Sequence, residues 1–178
     1  MFVTANNEHI VMPWRADLAQ VIPHARELDY QGSRMMVIPN RHEEARLARN
    51  LGIQVPAPIL TRYDWRNLKP WAVQRTTSAL LTESLRAYVL NEFGTGKTRS
   101  VIWAADYLRQ AARARRVLIA APLSTLTPVW EAELFKVLPL ARVRLLYGTR
   151  EERLKRLASD ADYYIINHHG LVLLREQL

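Results

Sequence analysis

A chain of 178 residues, 49% apolar and 24% charged, holds one domain with a sizeable core, or one domain plus an appendage, and does not comfortably hold two full lobes. These proportions exclude a chain disordered throughout, and the absence of cysteine excludes disulfides, thiolate metal sites and thiol redox chemistry. The net charge is +8 and 21 of the 25 basic residues are arginine, which suits a polyanionic partner such as nucleic acid and equally a merely solvated, arginine-biased surface.

No apolar run reaches the roughly 18 to 20 residues that span a bilayer. The opening MFVTANNEHI lacks both the basic and the apolar region of a leader. A soluble, cytoplasmic chain with no membrane partner is therefore expected.

In chain order, HIVMPW (9–14) predicts a strand and DLAQVIPHARELDY (17–30) a helical stretch interrupted at Pro23. RMMVIP (34–39) predicts a strand and HEEARLARNLG (42–52) a helix stopped by Gly52. The prolines and turn formers of residues 52–70 mark a boundary, so residues 1–60 are expected to form a small α/β extension and 61–178 a second domain. There the chain alternates: helix 72–86, strand AYVLN (87–91), a glycine loop, helix 98–114, strand RVLIAAP (116–122) and helix 127–138. Strand ARVRLLY (141–147), helix 150–159 and strand DYYIIN (162–167) follow. Four short strands, each separated from the next by a helix, predict a parallel sheet with helices on both faces.

The loop Asn91-Glu92-Phe93-Gly94-Thr95-Gly96-Lys97-Thr98 nearly matches G-x-x-x-x-G-K-[ST], with Asn91 in place of the first glycine. Gly94 and Gly96 allow successive N–H groups to turn towards phosphate oxygens, with Thr95 between them, at the positive end of the following helix. Lys97 would reach the terminal phosphates and the Thr98 hydroxyl would ligate magnesium, which together call for ATP and Mg2+. The alternative is a glycine turn that only caps a helix. Upstream, Gln74 carries a donor and an acceptor on one amide and can read the adenine edge, although a glutamine at a helix start commonly faces solvent.

Pro70 to Gln74, VLNEFGTGKT, LIAAPLSTLTPVWEAEL, LLYG and DYYIINHHGL occur in the order of the first lobe of superfamily two helicase-like ATPases. Residues 62–178 resemble the Swi/Snf type, above all its phage and bacterial members. The resemblance implies an incomplete RecA-like P-loop lobe, with ATP bound at Gly94 to Thr98 and adenine read by Gln74. It implies contact with the DNA backbone through Pro122, Leu123, Ser124 and Thr125, and through a segment at Asn167, His168 and His169. Independently, Ser124 and Thr125 follow a strand at its carboxyl end, where open α/β sheets bind ligands; Thr125 or Thr127 could equally cap the next helix ahead of Pro128. Trp130 and Glu133 share a helix face and match the family's W-x-x-E, with Trp130 expected in the core and no catalytic role for either. Adjacent histidines on extended chain point apart, so a metal reading of His168 and His169 is not favoured.

No complete catalytic set is expected. Hydrolysis needs a strand-end carboxylate for magnesium, and YYIIN ends in the neutral Asn167. In the family, the aspartate-glutamate pair and the second lobe with its arginine fingers lie further along. The chain is thus expected to be the amino-terminal portion of an ATP-driven DNA helicase or translocase, inactive alone, whose partners are DNA and the rest of the motor. Two other classes stay open: a small P-loop kinase, and a non-catalytic binding module in which Arg109, Arg113, Arg115 and Arg116 dock on phosphates or only solvate a helix end.

Overall fold

In the computed structural model, which describes residues 1–65 and 68–177, the chain divides into two units. The first comprises Met1–Asp64 and Ser78–Tyr88, and the second Trp65–Thr77 and Val89–Leu178. Among the described residues no helix is long and apolar enough to cross a membrane.

The first unit is an antiparallel sheet in the order β1-β2-β4-β3, from β1 (Phe2–Val3), β2 (His9–Pro13), β3 (Arg26–Tyr30) and β4 (Ser33–Pro39). Ile10 pairs with Ile38 and Met12 with Met36. All four are buried on one face, with Leu18 of α1 (Ala16–Val21) and Ala45 and Ala48 of α2 (His42–Asn50) in the same core. Gly52 closes α2 in a Schellman arrangement, its N–H bonding Arg49 O at 2.9 Å while Ile53 N–H bonds Ala48 O at 3.0 Å. Helix α3 (Pro58–Arg62) begins on proline, whose missing N–H costs nothing at a first turn.

One expectation fails here. RELDY is strand β3 and not a helical continuation, because Pro23 ends α1 and the chain returns as a hairpin. Tyr30 pairs with Ser33 across a two-residue loop in which Gln31 and Gly32 both take positive φ, 52° and 73°. This is the type I′ geometry that matches strand twist, and Asp29 Oδ1 accepts the Gly32 N–H at 3.0 Å.

The second unit carries a parallel sheet in the order β5-β7-β6, from β5 (Val117–Ala121), β6 (Val143–Leu146) and β7 (Tyr163–Asn167). Tyr163 of β7 is in register with Val117 on one side and Val143 on the other. Every residue of β7 is buried, which is why the strand reads as a continuous apolar run. Leu146, Tyr164 and Ile166 pack with Leu154 and Leu157 of α7 (Arg150–Ala158) and with Leu171 and Leu174. Helix α4 (Ala72–Glu83) spans both units; α5 (Lys97–Gln110), α6 (Ala132–Val137) and α8 (His168–Leu173) complete the second.

The strand expected at AYVLN is absent. Ala87–Asn91 joins no ladder, and Tyr88 and Leu90 are about nine-tenths exposed (91% and 90%). An apolar pentapeptide becomes a strand only where a neighbour accepts its hydrogen bonds, and the sheet runs β5-β7-β6 without it. The sheet therefore has three strands where the alternation suggested four.

Candidate nucleotide site and nucleic-acid interface

The glycine loop runs directly into α5. Gly96 is its N-cap, with φ 74° and ψ 35°, and Gly94 also takes positive φ, 77°. Both values lie in the left-handed region that glycine enters without strain. An added Cβ at Gly96 would also sit 2.1 Å from Gln74 Nε2, so the Gln74 amide would have to move. The loop is tied to itself and to α4. Thr95 Oγ1 donates to Glu92 O at 2.9 Å, Gln74 Nε2 donates to Thr95 O at 3.2 Å, and Asn91 Nδ2 donates to Thr77 Oγ1 at 2.7 Å. Asn91, at the first glycine position of the motif, thus serves as a tether.

Lys97 Nζ donates to Asn91 O and Glu92 O, both at 2.8 Å, and lies 5.5 Å from the Phe93 ring centroid. The Thr98 hydroxyl makes no hydrogen bond among the described residues. Loop, Lys97, Thr98 and Gln74 border one cavity of about 600 Å³, whose other walls include Lys69, Trp71, Phe93, Arg99, Trp103 and Glu133. The Gln74 amide bonds at both ends, its Oε1 accepting the Trp71 N–H at 2.9 Å, and the residue is buried. One Nε2 hydrogen and one Oε1 lone pair are left over.

Glu133 is the carboxylate on this cavity. Arg99 Nε lies 2.7 Å from it and Lys136 Nζ 2.8 Å, and the Arg99 hydrogen bond above all holds its pKa below the usual carboxylate range. A carboxylate neutralised by two cations is a clamp between α5 and α6, poorly suited to hold magnesium or activate water. Trp130 is half-buried rather than core; the fully buried tryptophan is Trp103, which meets Trp65 edge to face at 5.4 Å. The helix bearing Trp130 opens as a π-helical stretch, Leu126–Glu131, in which Pro128 falls among the first N–H positions that need no intrahelical partner.

At the carboxyl end of β5, Pro122, Leu123 and Ser124 are exposed, and Leu123–Thr125 forms a 3-10 turn. Thr125 Oγ1 donates back to Pro122 O at 2.9 Å, and neither helical stretch here has a side-chain cap. The Ser124 hydroxyl is free of hydrogen bonds among the described residues. At the end of β7 the neighbours diverge. Asn167 is buried and its Oδ1 accepts from Arg153 Nη1 at 2.9 Å, whereas His168 and His169 are exposed. Arg153, buried and bonded also to Leu146 O and Gly148 O, was not legible as a site-shaping residue, since it sits in an ordinary charged helix REERLKRLA.

The arginines at the end of α5 and just beyond it have separate fates. Arg109 pairs with Asp162 and stacks 5.3 Å from the Tyr163 ring, whose buried hydroxyl is pushed up to about 12. Arg116 lies 5.8 Å from the Tyr164 ring, and Arg115 is exposed.

No protein-family profile and no curated protein matches the chain. Among solved structures it is similar to a Sulfolobus solfataricus SWI2/SNF2 ATPase core in complex with dsDNA, at 21% identity and a TM-score of 0.54. The match covers 61% of this chain and 23% of that one, so the chain spans less than a quarter of its neighbour's length. This likeness shows the fold, a RecA-like α/β arrangement with a parallel sheet flanked by helices.

Proposed function

We propose that the chain is the nucleotide-binding, DNA-contacting portion of a helicase-like superfamily two ATPase of the Swi/Snf type, acting on DNA in the cytoplasm of a bacterial or phage-infected cell. The observation that carries this reading is the loop Gly94 to Thr98, with left-handed glycines at the start of α5, sharing a cavity with Gln74. The cradle fits a polyphosphate. Its backbone turns inward without a side chain at Gly96, α5 adds the positive end of its dipole, and Lys97 stands at the loop. Mg2+ would come with ATP, which supplies the energy when bound; Thr98, with its hydroxyl uncommitted, is the residue that would hold the ion.

The chain's own residues then divide the work. Gln74 orders the loop through Thr95 and offers its leftover donor and acceptor to an adenine edge. Lys97 exchanges the Asn91 and Glu92 carbonyls for phosphate oxygens. Pro122, Ser124 and Thr125, with His168, would meet the DNA backbone, while Asn167 positions His168 from below through Arg153. The β5, β6 and β7 strands end in Ala121, Leu146 and Asn167, so no strand-end carboxylate is at hand, and the chain is expected to bind ATP weakly and not to turn it over. The domain assignment we propose is an accessory unit of residues 1–60 followed by the ATP-binding lobe in 61–178.

The test is titration of a fluorescent ATP analogue in the presence of magnesium. Binding that falls at least about tenfold in Lys97→Ala, with unchanged circular dichroism, is expected. Equal binding by wild type and variant overturns the reading, as does steady-state ATP turnover by this chain that Lys97→Ala abolishes for the claim of inactivity.

A further inference from the structure

The first unit has a face that the nucleotide reading leaves unused. In an antiparallel ladder, paired residues share a face. His9 pairs with Pro39 and Arg26 with Val37, so these four stand on the side of the sheet opposite Ile10, Met12, Met36 and Ile38. They line a cavity of about 340 Å³ whose rim adds His24, Arg41 and Arg62. Three arginines and two histidines therefore line one concavity beside one carboxylate, Glu8, which accepts from Asn6 Nδ2 at 2.8 Å.

The arginines differ in their commitments. Arg62 Nη1 donates to Asn40 O at 2.9 Å, fixing α3, while the Arg26 and Arg41 guanidiniums make neither a hydrogen bond nor an ion pair among the described residues. Elsewhere in the unit exposed arginines find acids, as Arg15 does Asp17, Arg34 does Glu27 and Arg46 does Glu43. Two uncommitted guanidiniums on a floor of His9, Val37 and Pro39 leave an excess of unneutralised positive charge in a recess, where field lines concentrate.

We infer that this groove is a second nucleic-acid contact, one that grips the phosphodiester backbone through Arg26 and Arg41 with Arg62 and the two histidines beside them. The occupant is argued from charge and form. Spaced guanidiniums in an open concavity suit a run of phosphates, each of which releases a counterion on neutralisation. Neither nucleotide nor the glycine loop is involved, so the groove is tested without ATP.

The experiment is fluorescence anisotropy of a labelled 16-base-pair duplex against the whole chain across a salt series, for wild type and for Arg26→Gln/Arg41→Gln. Loss of two phosphate contacts should weaken binding about tenfold at low salt and reduce the slope of log K against log[salt] by about 1.8. An unchanged affinity and slope in a folded variant overturns the proposal. Should that variant not fold, amide chemical shifts of the wild type decide. Perturbation by duplex at His9, Arg26, Val37 and Arg41 supports it; perturbation by duplex only elsewhere, or at these residues by inorganic phosphate and not by duplex, overturns it.

Discussion

Gly96 concentrates two constraints on one position. Its positive φ strains any L side chain, and a Cβ there meets Gln74 Nε2 at 2.1 Å. Gly96→Ala therefore breaks the Gln74 to Thr95 bond and distorts the loop. The expected cost is about 1–3 kcal/mol in thermal or denaturant unfolding, together with loss of the fluorescent ATP analogue's binding. A variant as stable as wild type would show that the loop relaxes freely. Residue chemistry was legible here in advance, because a glycine followed by Lys97 and Thr98 is a local pattern. Glu133 was not legible as a neighbour of that loop, because it lies 34 positions from Arg99 and only the packing of α5 on α6 joins the two.

Helix α7 shows the same logic at the scale of an element. Thr149 Oγ1 accepts the Glu152 N–H at 3.3 Å and Glu152 Oε2 accepts the Thr149 N–H at 2.7 Å, a reciprocal cap ahead of a charged nine-residue helix. That helix supplies Leu154 and Leu157 to the core and Arg153 to Asn167. Thr149→Ala should lower stability by about 1 kcal/mol, read from denaturant midpoints, and should loosen the His168 segment in amide exchange. Elements with their own apolar periodicity, such as α2, α5 and α7, are visible in the sequence. Ala87–Asn91 and RELDY depart from their composition for opposite reasons: the first has strand composition without a pairing neighbour, and the second has helical composition overruled by Pro23 and a Gln31-Gly32 turn.

Across the second unit, one carboxylate ties distant parts together. Asp162, at the start of β7, pairs with Arg109 at the end of α5 and accepts the Arg142 N–H at 3.0 Å and Arg142 Nη2 at 2.9 Å. The Arg142 hydrogen bond is the main cause that holds its pKa below the ordinary 3.8. A carboxylate with a depressed folded-state pKa contributes stability above its unfolded value and loses it as pH falls through the folded one. Wild type should therefore lose this contribution as the pH drops below about 3.8, by the same linkage. Asp162→Asn should be less stable by about 2 kcal/mol at pH 7, and the gap should close below that window. A gap that persists unchanged to pH 2 in denaturant titrations would show that Asp162 acts by packing alone.

By itself the sequence determined the chemistry that depends on neighbours in the chain: the glycine loop with Lys97 and Thr98, the helix stop at Gly52, the buried run YYIIN, and the arginine-rich charge. Those features arise from backbone preferences and side-chain types acting over a few residues. Tertiary structure decided what depends on partners far along the chain. It left AYVLN unpaired and buried Asn167 against Arg153, gave Glu133 to Arg99 and Lys136, and gathered Arg26, Arg41 and Arg62 around one face of an antiparallel sheet. Ladder pairing, burial and charge neutralisation are properties of surroundings, and surroundings exist only once the chain has folded.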